Sequence, residues 1–117
     1  MTTTTTTTTG RTAAATRTRT VRARILRDIR TATPGHVSRD LAAEHVDATH
    51  PALDRLTVRQ LLAACRGVGR WYARQILSRA DVGPDLALWD LTPRQRDALV
   101  RELRAPRPHE ARDGGGR

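Results

Sequence analysis

Cys65-Arg66-Gly67-Val68-Gly69-Arg70 is a Gly-x-Gly turn set between two short segments that each carry helical apolar spacing. Before the turn, Thr57 and Gln60 have the Thr-x-x-Gln spacing of a capping box, and Val58, Leu61 and Leu62 follow on one helical face. After it, Ala73, Ile76, Leu77 and Ala80 resume the same period. The pattern predicts a hairpin of two helices, residues 58 to 65 and 70 to 80. Glycine suits both turn positions because it accepts positive φ and carries no side chain to hold an oxyanion away from the backbone N–H groups. The first N–H groups of the second helix lack intrahelical partners and the helix dipole adds partial positive charge, so an anion is favoured there. Arg66, Arg70 and Arg74 add full charges close by. A hairpin closed by glycine is also an ordinary structural joint, so the motif points to phosphate only together with its arginines.

Outward from the hairpin, the chain reads as one small all-α domain. Val21, Ile25, Leu26 and Ile29 form a helical stripe, with Arg22, Arg24, Arg27 and Arg30 on other faces, which predicts a basic amphipathic first helix. Thr33-Pro34-Gly35 breaks it, and Val37, Leu41 and Ala42 suggest a second helix fading near Asp47. Thr49-His50-Pro51 fits a new helical start, with Leu53 and Leu56 as core contacts. Gly83 is placed as a left-handed cap after the hairpin. Thr92-Pro93-Arg94-Gln95 is a second capping box, opening a last helix whose Leu99, Val100 and Leu103 face inward. Six helices are expected. Residues 1–19, almost all Thr, Ala, Gly and Arg, read as a disordered leader; residues 20–104 form the domain; residues 105–117, with two Pro and three consecutive Gly, read as a disordered tail.

The net charge of +9 suits an anionic partner, and most of it lies early. Residues 11 to 30 carry seven Arg against Asp28, whereas residues 31 to 100 are nearly balanced, with nine Arg against eight acids. All basic residues are Arg, a usage that GC-rich coding explains as well as a need for bidentate phosphate contacts does. The single cysteine, Cys65, leaves no intramolecular disulfide, and His36, His45, His50 and His109 lack zinc-ligand spacing, so no metal or other cofactor is expected. No apolar run is long enough for a signal sequence or membrane span, which makes a cytoplasmic protein the expectation.

The run Leu56-Thr57-Val58-Arg59-Gln60-Leu61-Leu62, through Gly67-Val68-Gly69-Arg70, to Ala73-Arg74-Gln75-Ile76-Leu77 resembles the actinobacterial integration host factor family, which is unrelated in fold to the two-subunit factor of enterobacteria. Asp81-Val82-Gly83 echoes that family's Leu-Gly-Ile, and Leu91, Arg94, Gln95, Arg96, Ala98 and Leu99 echo its closing Arg-Gln-Arg segment. The likeness spans about residues 20 to 104 and is strongest in the hairpin. It implies a helix-two-turn-helix (helix-hairpin-helix) DNA-binding domain: a small, monomeric nucleoid-associated protein that binds duplex DNA with little sequence preference. On that likeness Gly67, Val68, Gly69, Arg70 and Arg74 sit on the DNA-contacting hairpin with Arg66 beside them, and Arg24 and Arg27 on the basic first helix. Arg66 stands where the family has Pro, Tyr72 where a basic residue is common, and Leu86, Ala87 and Trp89 where it has arginines, so no contacts are carried over to residues 85 to 90. Trp71 and Tyr72 lie about 100° apart on one helix, and the family precedent of an apolar residue puts Trp71 in the core, leaving Tyr72 either near the DNA backbone as a neutral donor or packed on the surface.

Other classes were weighed on the same residues. Helix-hairpin-helix DNA glycosylases share Gly-Val-Gly and need a catalytic Asp further on, which singles out Asp85 and Asp90. Base extrusion needs a pocket that so short a chain has no second domain to build, and a Schiff base needs an amine where this chain has no lysine; only a monofunctional variant would remain. No enzyme and no small-molecule substrate are therefore expected. A ribosomal protein of the S13 type, presenting Gly-x-Gly to RNA phosphates, is the alternative of the same architecture. A protein-interaction module would instead need the basic arm to meet acidic protein surfaces.

Overall fold

The computed structural model describes the backbone of residues 2–105 and the side chains from residue 13 onward, and the expected tail lies almost wholly outside them. The described chain is helical: α1 Thr2–Thr31, α2 Gly35–Asp47, α3 Val58–Ala64, α4 Arg70–Ala80 and α5 Pro93–Arg104, with 3-10 turns at Pro51–Leu53 and Leu88–Asp90. Thr57 and Ala87 form an isolated bridge, and no strand occurs among the described residues.

The two capping boxes form as the sequence predicts. Thr57 accepts from the Gln60 N–H at 3.2 Å while Gln60 accepts from the Thr57 N–H at 3.0 Å. Thr92 and Gln95 do the same at the head of α5, with Pro93 in its first turn. Each box satisfies donors that a helix start would otherwise leave open, which is why these starts were legible from four residues.

Two expectations are corrected. The helix predicted after Thr49 is only the 3-10 turn Pro51–Leu53, capped by His50 Nδ1 accepting from the Ala52 N–H at 3.1 Å. Thr49 itself takes a left-handed φ of 49°, which no β-branched residue adopts readily and which ends the preceding helix instead of starting a new one. Asp81, at φ 55°, closes α4 in the left-handed position expected for Gly83. α1 runs back to Thr2, through the stretch rich in Thr, Ala and Arg. Its described side chains from Ala13 to Val21 all lie in solvent, so α1 enters the core only through its C-terminal third.

Ile25 and Ile29 of α1 pack with Ala42, Ala43 and Val46 of α2, Leu61 and Leu62 of α3, Ile76 of α4 and Leu99 and Leu103 of α5 in one cluster. Leu53 and Leu56 are buried as predicted, whereas Val21 and Val37 are exposed. α2 turns inward a face that begins with two polar residues, Ser38 and Arg39, both fully buried. The Ser38 hydroxyl donates to the Ile29 carbonyl and accepts from the Arg66 N–H at 2.9 Å. One side chain thus joins α1, α2 and the α3–α4 turn. Gly35 lets the chains approach there, since a methyl group on it would lie 3.0 Å from the Arg66 carbonyl oxygen.

Ser38→Ala leaves a buried carbonyl and a partly buried amide unpaired, so it is expected to lower stability by about 1–3 kcal/mol in urea denaturation. Burial, followed by the His50 ring in edge contact at 5.8 Å, holds His45 below the ordinary imidazole value of 6.5, against the opposing pull of Glu44 and Asp28. The unfolded chain therefore takes up this proton first: the contribution is complete above pH 6.5 and is lost as pH falls from there through the lowered value of the folded protein. Thermal melts across this range should show stability falling with pH, and His45→Gln should flatten the fall.

Candidate nucleic-acid interface

α3 turns Val58, Leu61, Leu62 and Ala64 into the core, and α4 turns in Tyr72, Ile76 and Ala80, a strict i, i+4, i+8 stripe. Trp71 falls off that stripe and is 71% exposed, while Tyr72 is buried. This reverses the assignment implied by the family precedent. The physical reason is register: the residue in line with Ile76 and Ala80 is Tyr72, and its neighbour must point elsewhere.

Between the helices, Cys65 closes α3 in an extended conformation and Gly67 takes φ 80°, the left-handed region that glycine alone occupies without strain. Gly69 is different. It is the N-cap of α4 with φ −82° and ψ 178°, a conformation open to any residue, and a Cβ built on it meets nothing within 4 Å. The fold therefore requires glycine at 67 and merely tolerates it at 69, where the surface stays open to an approaching group.

The amides of the turn divide in the same way. The Arg66 N–H is held by Ser38 Oγ at 2.9 Å and the Val68 N–H by the Cys65 carbonyl at 3.3 Å, so the first half of the turn is bonded internally, contrary to the expectation that its donors face outward. No side chain caps α4, and the N–H groups of Gly69, Arg70 and Trp71 have no acceptor among the described residues. At the head of α3, by contrast, Thr57 takes the Gln60 N–H, and the Leu86 and Pro84 carbonyls take those of Val58 and Arg59, both at 2.9 Å. The hairpin closes one helix start from within and leaves the other open.

A second groove, of about 480 Å³, is lined in part by His45, His50, Asp54, Leu88, Trp89 and Arg96, and no His, Cys, Asp or Glu group among the described residues has a metal-binding arrangement. The groove at the hairpin is larger, about 630 Å³, with Leu62, Ala63, Val68, Ala73, Leu77 and Pro84 as its floor and Gly69, Arg70, Arg74 and Arg59 around it. Arg70 and Arg74 have no acidic partner among the described residues, whereas Arg59 pairs with Asp85 at 3.2 Å in an exposed ion pair. Exposed pairs of that kind contribute little and exchange readily for another anion.

The structure thus brings Val68, Gly69, Arg70 and Arg74 to one groove. Arg66 is turned away from it, donating through Nη1 to the Arg30 carbonyl at 3.3 Å, which fastens the turn to the end of α1. Arg27 and Arg24 are exposed on α1, roughly 4.5 and 9 Å along the axis before Arg30 by helix rise. Arg59 and Pro84 were missed in the sequence, although Arg59 stands one helical turn before Leu62 and Ala63 and on their face. Ser38 and Arg39 were missed because a Ser-Arg-Asp run ordinarily marks a solvated face. Cys65 is buried, and desolvation pushes its thiol up to about 12 despite the nearby Arg39 charge, which makes it an inert packing residue. Asp85 and Asp90 do not line the hairpin groove, and Thr92 rather than Asp90 caps α5.

Comparison of the chain with protein-family models, with curated proteins and with solved structures finds no match. Among the described residues, no helix is long and apolar enough to cross a membrane.

Proposed function

We propose that the protein binds duplex DNA with little sequence preference, as a nucleoid-associated protein of the kind its hairpin resembles, and is not an enzyme. The observation that carries this reading is the conjunction at the head of α4: three unbonded backbone donors, a glycine the fold does not require, and two guanidinium groups without acidic partners. A phosphate oxygen resting on the Gly69, Arg70 and Trp71 N–H groups would satisfy donors that are otherwise left to water, and Arg70 and Arg74 would neutralise its charge. The apolar floor of Val68, Ala73 and Leu77 suits the sugar beside such a phosphate.

The exposed arginines of α1, Arg17, Arg19, Arg24 and Arg27 among them, supply further backbone contacts on a helix that projects beyond the core. Such contacts set register on a duplex without reading its bases, so low specificity follows. Their screening makes affinity depend on salt. Asp85 and Asp90, the carboxylates a glycosylase would draw on, do not line the hairpin groove, and Asp85 instead pairs with Arg59 at 3.2 Å.

The decisive variant is Gly69→Asp. Its backbone conformation suits Asp, its Cβ meets nothing within 4 Å, and Asp is a better N-cap than Gly, so thermal stability should hold or rise slightly. The carboxylate would occupy the open N–H groups and repel phosphate, so affinity for a short duplex is expected to fall about ten- to a hundred-fold in fluorescence anisotropy. With about five phosphates neutralised, the wild-type slope of log K against log salt should lie near −4 to −5. A flat salt response, or a Gly69→Asp protein that binds as wild type, overturns the reading; structured RNA competing better than duplex DNA redirects it to RNA.

A further inference from the structure

Trp71 is the largest side chain in the open first turn of α4, and the fold makes no use of its ring. It is 71% exposed and makes no ring contact among the described residues. Leaving an indole in water forgoes stabilisation that burial would provide, and an exposed large apolar side chain is informative where a surface is otherwise polar. Here its sequence neighbour Arg70 and Arg74, one helical turn on, both line the hairpin groove, and its own N–H group is one of the three open donors.

This juxtaposition of an unpartnered aromatic face, unpaired guanidinium groups and open backbone donors is what a single nucleotide can occupy at once. The phosphate takes the donors and the charge, and the base takes the indole. Within an intact duplex every base is already stacked on its neighbours and its face is closed to the protein. An aromatic side chain gains a stacking partner only where a base is unpaired or a step is opened. Trp89 makes the contrast. It is equally exposed, but it stands on the Leu88–Asp90 turn among Asp54, Asp90 and Arg55, an environment that offers a polyanion no comparable gain.

We propose that Trp71 stacks on an unpaired base, so that the hairpin prefers DNA containing gaps or other unstacked sites over fully paired duplex. The inference rests on the DNA-binding reading above and names the form of DNA that the same site favours.

The test uses the full chain and two probes, a short duplex and the same duplex with a central single-stranded gap. Wild-type protein is expected to bind the gapped probe more tightly, and Trp71→Ala to weaken that binding about ten-fold while changing intact-duplex binding little and leaving the salt slope as it was. Trp89→Ala should match wild type on both probes. In a Trp89→Phe protein, Trp71 is the only indole, and its fluorescence should be quenched by the gapped probe more than by the duplex. If the protein binds both probes and Trp71→Ala matches wild type on each, the stacking role is overturned while DNA binding stands. If wild-type protein binds neither probe, both readings fall.

Discussion

The buried hydroxyl of Ser38 is the contact on which the placement of the hairpin depends. It donates to the last turns of α1 at Ile29 and accepts from the Arg66 amide at the mouth of the α3–α4 turn, so three segments distant in sequence meet at one oxygen. Around it Gly35 removes the side chain that would hold α2 away from Arg66, and the Arg66 guanidinium closes over the Arg30 carbonyl. Ser38 is shielded from water, so its two hydrogen bonds are stronger than they would be at the surface and a lost partner is costly, which holds the turn against the arginine-bearing helix. An interface built from both elements needs that fixed relation.

The hairpin handles its backbone donors unequally. α3 begins under a Thr-Gln box and two loop carbonyls, so its start is complete within the protein. α4 begins at a residue without a side chain and is left open. The glycines share the turn in a corresponding way: Gly67 makes its left-handed bend possible, and Gly69 keeps its outer face clear. A short motif that reads as one unit in sequence is thus two devices, the first serving the fold and the second the surface.

The same separation explains how the positive charge is used. Arg39 is buried beneath the turn, Arg66 fastens the turn to α1, Arg59, Arg79 and Arg104 sit in ion pairs, and Arg70 and Arg74 stand unpaired beside the open amides. Net charge counts all of these equally. At the groove, Arg70 and Arg74 offer an incoming anion attraction that no carboxylate among the described residues already shares.

Local hydrogen-bond chemistry was legible in the chain: the two capping boxes, the all-helical class, the limits of α3 and α4 and the inward faces of α5 follow from residues within a turn of one another. Tertiary structure decided what depended on distant partners. It selected Tyr72 over Trp71 for the core because Ile76 and Ala80 set the register, buried Ser38 where it bonds the Ile29 carbonyl and the Arg66 amide, and shortened the segment after Thr49 to a 3-10 turn. It also determined which amides of the Gly-Val-Gly turn stay open. A backbone donor's fate depends on which acceptor the folded chain brings beside it, and the acceptors here come from 28 residues away for Arg66 and from across the hairpin loop for Val58 and Arg59.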